Sequence, residues 1–323
     1  MNKKGPKIVF MGTPEFALPS LKALLEEDYN LICVVTQPDR PKGRGRKLSP
    51  PPVKELAAGY GIPVLQPRDA SETDFLSSLK EKSPDLIVVV AYGQILKKEL
   101  LDIPPLGAIN VHPSLLPKYR GPAPIQWAIM NNDPVTGVTI IRMNERMDAG
   151  PILLQKEVPI LPDETAGSLH DRLAEIGARL LIEAIHAIVS GSIKEIPQDD
   201  SKATYTPKID RSLSVIDWSE SASSISARIR ALDPWPGALA RIREREIKLF
   251  SSSVVNNEHK GNPGTIHDLL RDGLIVETGN GLVLIKDLQM PGRKRLPAIE
   301  FLKGFPLKKG DRFISVKRGA CQR

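Results

Sequence analysis

The chain has 323 residues, of which 41% are hydrophobic and 26% charged, and its formal charge is +7. This is the composition of an ordinary soluble protein long enough for two domains, and no apolar run approaches the ~20 residues needed to span a bilayer. Two cysteines, Cys33 and Cys321, supply neither a disulfide framework nor a metal-ligand pattern.

The basic excess is unevenly distributed. Residues 1–206 hold 24 Lys+Arg against 25 Asp+Glu, a net −1, whereas residues 207–323 hold 21 against 13, a net +8. Such asymmetry points to a polyanionic partner for the C-terminal third. At the N-terminus, KIVFMG is too short for a signal-peptide core, so a cytoplasmic location is expected.

Taken in order, KIVFMG (Lys7–Gly12) reads as a buried strand, followed by a helix to about Glu27 and a second strand over Asn30–Thr36. Residues 37–52, QPDRPKGRGRKLSPPP, hold five prolines and five cations around one aliphatic residue, Leu48. A segment of that kind cannot enter a core and is expected to be functional or disordered. Helices are predicted over Val53–Gly59 and about Glu72–Lys82, with strands at Ile62–Leu65 and Asp85–Ala91. A short helix then leads to Gly107. Beyond it come a strand in GAINV, a helix at Pro124–Asn131, strands at Gly137–Met143 and Ile152–Ile160, and a long amphipathic helix within Asp163–Gly191. This alternation predicts an α/β fold with a mostly parallel open sheet.

Gln198–Lys208 is polar and unpatterned and reads as a linker. It would separate a catalytic domain (1–206) from a basic domain (207–323) whose short β-like runs predict an OB-like barrel after a helix at about Ala222–Ala231.

Within GAINVHPSLLPKYRG, Asn110 and His112 stand two apart at a strand end and therefore share a face. Open α/β sheets bind ligands beyond the carboxyl ends of their strands. A carboxamide there can hold a developing oxyanion while an imidazole donates or moves protons. Asp148, on the turn after the next strand, is the best-placed carboxylate to orient the imidazole. The chain has no GxGxxG after its first strand, no Walker motif, and no GxSxG elbow. The five histidines (112, 170, 186, 259 and 267) show no paired-ligand spacing, so no metal is expected. Direct attack by a substrate amine on an acyl donor fits this set better than a covalent enzyme intermediate.

The ordered blocks FMGTPEFA, QPDRPKGRGRKLSPPPVK, VVVAYGQIL, INVHPSLLPKYRGPAPIQWAI and TGVTIIRMNERMDAGPIL, followed by DWSESA, IRALDPWPG and PGTI, closely resemble the methionyl-tRNA formyltransferase family over nearly the whole chain. The resemblance implies a Rossmann-like formyltransferase domain that transfers formyl from 10-formyltetrahydrofolate to the α-amino group of methionyl initiator tRNA. Asn110 and His112 would polarise the formyl oxygen and Asp148 would tune His112. It further implies folate contacts from Val88, Val89, Val90, Ala91, Tyr92 and Gly93, with Ser114, Leu115, Leu116 and Pro117 as one wall. Loop cations Arg40, Lys42, Arg44, Arg46 and Lys47 would contact the tRNA, and Arg293, Lys294 and Arg295 are candidates in the basic domain.

HPSLLP, with Pro113, also resembles glycinamide ribonucleotide formyltransferase. Two alternatives follow, a folate-dependent enzyme acting on a small amine and a catalytically silent RNA-binding protein. The cationic loop and C-terminal domain speak against the first, and the intact Asn110, His112 and Asp148 against the second. No heptad or long apolar stripe calls for a partner subunit, so a monomer is expected.

Overall fold

The computed structural model describes residues 4–42 and 47–315. Arg44, Arg46 and Cys321 lie outside the described residues, as do the side chains of Lys42 and Lys47. The chain forms two compact units. The first comprises residues up to Gly121, Thr136–Val158 and His170–Thr206, and the second comprises Pro122–Val135, Pro159–Leu169 and the chain from Pro207 onward. Two segments assigned to the first domain from sequence, around the Pro124 helix and before His170, thus belong to the second unit. Linear order cannot reveal such an exchange.

In the first unit, strand β1 (Lys4–Gly12) leads through α1 (Leu18–Glu26) to β2 (Tyr29–Val35). The proline-rich segment then forms a small antiparallel hairpin of β3 (Arg40–Lys42) and β4 (Lys47–Ser49). This differs from the irregular segment expected. The two strands pair only with each other, so their outer backbone edges are left to solvent, and Leu48 is largely exposed. Lys54 anchors its base, with Nζ 2.8 Å from both Asp39 carboxylate oxygens. There follow α2 (Pro52–Gly59), β5 (Val64–Leu65), α3 (Thr73–Lys82), β6 (Leu86–Val90), α4 (Lys98–Leu101) and β7 (Ala108–His112). After α5 (Pro124–Met130), which belongs to the second unit, come β8 (Val135–Arg142), β9 (Ile152–Pro159) and α6 (Ala166–Val189), whose residues up to Leu169 also belong to the second unit.

The sheet runs β5-β2-β1-β6-β7-β8-β9, parallel from β5 to β7 and antiparallel between β7 and β8. Its order reverses between β1 and β6, which places the ligand crevice of an open α/β sheet at their carboxyl ends. There Thr13 Oγ donates to the Tyr92 carbonyl at 2.9 Å and accepts from the Gln37 N–H at 3.2 Å, tying the ends of β1, β2 and β6 together.

Cys33 is fully buried in this unit's core, and burial pushes its thiol up to about 11. A thiol reagent at pH 8 should therefore modify Cys33 only after unfolding, as peptide mass spectrometry of native and denatured samples would reveal. Labelling of Cys33 at equal rates in both samples would refute its burial.

In the second unit, α7 (Ala222–Ala231) precedes β10 (Ala238–Ile242), β11 (Arg245–Asn256), β12 (Ile266–Leu270), β13 (Gly273–Glu277), β14 (Leu282–Gln289), β15 (Leu296–Pro297) and α8 (Ala298–Gly304). The main strands pair antiparallel in the order β10-β11-β14-β13-β12. Residues 311–314 join the two edges: Phe313 N–H donates to Gly264 O at 2.8 Å, and Ile314 exchanges backbone bonds with Arg241 of β10 at 2.7 and 3.0 Å. This stitch closes the sheet toward a barrel, as expected, around a core that includes Trp218, Ile225, Ile285 and Phe313.

Candidate active site

His112 ends β7 and is almost wholly buried. Its ring is held between two loops of the first unit. Nε2 lies 3.0 Å from the carbonyl oxygen of Tyr119, and Nδ1 lies 3.7 Å from Oδ2 of Asp148. A carbonyl can only accept, so Nε2 carries the hydrogen and donates. In the neutral ring the Nδ1 lone pair then faces a carboxylate at a distance too long for a direct hydrogen bond. Nδ1 is thus the atom where an arriving proton is stabilised, with Asp148 as its counter-charge. Asp148 is itself aimed by the Gly121 N–H, which donates to Oδ2 at 2.8 Å. Asn110, on the same strand, is half-buried, and its carboxamide has no hydrogen-bond partner among the described residues, leaving it available to a ligand.

Tyr119 (φ 62°) and Asp148 (φ 50°) both adopt left-handed backbone conformations. Non-glycine residues hold such geometry where the surroundings enforce it, and here the enforcing group is Arg120. Its side chain is fully buried, with Nη2 2.8 Å from both Gln198 Oε1 and Asp200 Oδ1, and Nη1 3.2 Å from the Tyr205 hydroxyl. The backbone is stitched as well: Arg120 N–H donates to Thr204 O, and Thr206 N–H to Arg120 O, each at 2.8 Å. Gln198 completes the link by donating from Nε2 to the carbonyls of Asp148 (2.8 Å) and Gly150 (2.7 Å). One strap therefore positions both the Tyr119 carbonyl that holds His112 and the turn that carries Asp148. A β-carbon on Gly121 would approach Thr206 O to 2.7 Å, so the strap lies too close for any side chain there.

Residues 198–206, expected to be a linker, are instead this strap. Arg120, Gln198 and Tyr205 escape a sequence reading because a lone arginine in a loop and a polar connector carry no periodic signal. Their roles arise only from contacts about 80 positions apart.

Beside Asp148 a cavity of about 100 Å³ is lined by Gln94, Ile95, Leu96, Ile141, Met143 and the turn through Met147. The fold leaves Ile95 and Met147 substantially exposed although both are large and apolar, which suits a wall for a flat heterocycle. The predicted folate residues are only partly here. Val88, Val89 and Val90 lie in the core as the interior of β6 and are essentially inaccessible, Tyr92 is buried, and only Ala91 and Gly93 surface at the strand end. Burial pushes the Tyr92 phenol up to about 12. Ser114 and Leu116 are buried too, held by Thr139 and Gln155 behind the loop, while Leu115 and Pro117 are half-buried. A continuous apolar strand reads alike whether it lines a cavity or fills a core, and here the side chains of Val88, Val89 and Val90 fill the core.

Among the predicted tRNA cations, the Arg40 guanidinium is hydrogen-bonded to Gln37 at 3.1 Å. Arg293 and Lys294 are exposed. Arg295 is exposed too but is engaged by carboxylates. It pairs with Asp233 and Asp287 at 2.7 Å each and lies over the Phe250 ring, 4.6 Å from its centroid. Burial lowers its pKa, but the bonds to Asp287 and Asp233 outweigh that and hold it above the usual range. The densest basic run thus holds three exposed cations, one of them engaged by two carboxylates of its own unit.

The chain that carries this mostly parallel sheet, with an imidazole and a carboxylate gathered at its strand ends, matches two family models. Formyl transferase covers residues 6–185, and Formyl transferase, C-terminal domain covers residues 208–306. The chain is therefore a formyl transferase by class. It is 50% identical over 303 residues to the methionyl-tRNA formyltransferase of Syntrophus aciditrophicus, covering 94% of this chain and 97% of that protein. It is 49% identical to the namesake of Symbiobacterium thermophilum, over 95% of both. The chain belongs to the methionyl-tRNA formyltransferase family. Its fold is shared with a sugar N-formyltransferase from Helicobacter canadensis complexed with folinic acid and dTDP-3-aminofucose (TM-score 0.65, 20% identity, 86% of this chain and 98% of that one). It is shared also with HypX of Aquifex aeolicus in complex with tetrahydrofolic acid (TM-score 0.63, 21% identity, 98% of this chain and 51% of that one).

Proposed function

We propose that this chain transfers the formyl group of 10-formyltetrahydrofolate to the α-amino group of methionine on initiator tRNA. The observation that carries the chemistry is the His112 ring, donating from Nε2 to Tyr119 and presenting Nδ1 to Asp148, two residues along the same strand from Asn110. The identity of the amine rests on the family.

The pterin part of the donor would lie against Ile95, Leu96 and Met143, with Asp148 at the edge of the same cavity. Asn110 would donate its amide hydrogen to the formyl oxygen. His112 takes up the proton shed by the attacking amine on Nδ1, Asp148 stabilises the resulting imidazolium, and that proton passes to N10 of the donor as the formyl C–N10 bond breaks and tetrahydrofolate leaves. No enzyme nucleophile is needed. Among the described residues no helix is long and apolar enough to cross a membrane, and a tRNA substrate suits action in the cytoplasm.

The test supplies labelled 10-formyltetrahydrofolate with methionyl initiator tRNA, methionyl elongator tRNA or glycinamide ribonucleotide. Label should enter the first. Label entering only glycinamide ribonucleotide would overturn the reading in favour of a small-amine enzyme.

The cations that meet the tRNA can be apportioned by salt dependence. Replacing Arg44, or Arg293 and Lys294 together, with alanine should reduce the slope of log affinity against log salt by roughly one for each phosphate no longer neutralised. Arg295→Ala should leave the slope unchanged and lower thermal stability, since its partners are Asp233 and Asp287. Binding assays at several salt concentrations decide both, and an unaltered slope in Arg44→Ala would remove Arg44 from the interface.

A further inference from the structure

Three side chains of the second unit converge without any part in the chemistry above. His267 stands on β12, Glu277 ends β13, and His259 lies in the loop after β11. One ligand atom from each lies within 4.8 Å of the others. His267 Nδ1 is 3.0 Å and His259 Nε2 is 3.5 Å from the same carboxylate oxygen, Oε1 of Glu277. Ligands about 2.0–2.1 Å from a tetrahedral zinc sit roughly 3.3 Å apart, so both pairs already have the spacing of a shared ion.

The backbone is shaped for this meeting. Ile266 pairs with Val276 while Asp268 pairs with Ile275, so His267 is the extra residue of a β-bulge, a device that re-aims a side chain. The other Glu277 oxygen accepts the Asn262 N–H at 2.6 Å, which leaves Oε1 to the two rings. Burial opposes charge on Glu277, yet the hydrogen bonds from His267 and Asn262 outweigh it and hold the carboxyl below its usual range. Beside the cluster a β-carbon on Gly261 would fall 2.3 Å from Glu277 Oε2 and 2.9 Å from His259 Nε2, so a side chain there would displace both groups. A hydrogen-bonded His267–Glu277 pair would account for part of this arrangement. His259 Nε2, buried and 3.5 Å from the same oxygen, is at the outer limit of a hydrogen bond and does not reach the normal length of one.

We infer that His259, His267 and Glu277 form a binding site for a zinc-class transition dication, with water as the fourth ligand. Two imidazoles and one carboxylate suit zinc and disfavour magnesium and calcium, which demand oxygen ligands. The ion would pin the loop carrying His259 to the β12–β13 edge, a structural role independent of formyl transfer. No sequence motif announces the site, because its ligands come from three segments with spacings of 8 and 10 residues and the bulge supplies the geometry.

The experiment strips the tag-free full-length protein with chelator and titrates it with Zn²⁺ against a chromophoric competitor, then with Co²⁺ to read its visible ligand-field bands. One zinc per chain, the cobalt spectrum of a low-coordinate nitrogen and oxygen site, and no response to Mg²⁺ are expected. His259→Ala and Glu277→Gln should each weaken zinc binding by at least about tenfold, the lower bound for disturbing even the outer partners of a metal site. Absence of stoichiometric binding, or equal affinity in a His259→Ala/His267→Ala double variant that retains its circular dichroism and cooperative melt, would overturn the inference. If the double variant does not fold, His259→Ala, which alters only a loop residue, decides by the same affinity criterion.

Discussion

Asp148→Asn is expected to lower kcat by about 10²- to 10⁴-fold, the range of a lost general acid–base partnership, while methionyl-tRNA binding is retained. The new carboxamide can still accept the Gly121 N–H through its oxygen. That same oxygen is the one 3.7 Å from Nδ1 of His112, so the contact with Gly121 survives while the negative charge facing Nδ1 is lost. Without that counter-charge a proton arriving on Nδ1 is no longer stabilised. His112→Ala should be at least as damaging, since it removes the acceptor itself and leaves the Tyr119 carbonyl without its donor. Single-turnover formylation measured alongside filter binding separates chemistry from affinity. A variant that keeps more than about a tenth of wild-type kcat would show that proton transfer at Nδ1 contributes less than general acid–base catalysis ordinarily does.

Arg120→Ala is expected to fail in a different way, losing stability and turnover together. The substitution removes a fully buried guanidinium and leaves Gln198 Oε1 without its donor. A loss of about 2 to 4 kcal/mol follows from stranding such partners, or roughly 5 to 15 °C in Tm for a unit of this size. Because the same strap positions Tyr119 and Asp148, kcat should fall by around 10²-fold even well below the melting temperature, as small misplacements of catalytic groups do. Arg120→Lys keeps the charge but not the fork that reaches Gln198, Asp200 and Tyr205 at once, so it should rescue little. Calorimetry with kcat measured at low temperature tests this. Normal turnover in a destabilised Arg120→Ala would reduce the strap to a structural brace.

The strap also carries a pH consequence. Hydrogen bonds from Arg146 and Arg120 hold the Asp200 carboxyl below its usual value of 3.8. For a depressed acid, the stabilisation is fully present above the unfolded value and is lost as pH falls through the lower folded one. The strap should therefore stay closed through neutral and mildly acidic pH and release only in strong acid.

Much of this is legible in the chain alone. The parallel sheet follows from strand and helix periods, because burial of an apolar face imposes period 2 or 3.6 on the sequence itself. Asn110, His112 and Asp148 are legible because strand alternation and turn position are local properties, and the motif blocks carry the family. The hairpin at Arg40–Ser49 and the strap at 198–206 are not, since segments rich in proline or polar residues look alike whether ordered by distant partners or by none. Tertiary structure alone decided that Val88–Val90 are core while Ile95 and Met147 border the cavity, that Arg295 is internally paired, and that His259 meets His267 across a bulge. The sequence by itself determined which chemical groups are present and which strand ends hold them. The tertiary structure decided which atom of His112 receives the proton, because that depends on a carbonyl seven residues away and a carboxylate on another loop, both set by a buried arginine.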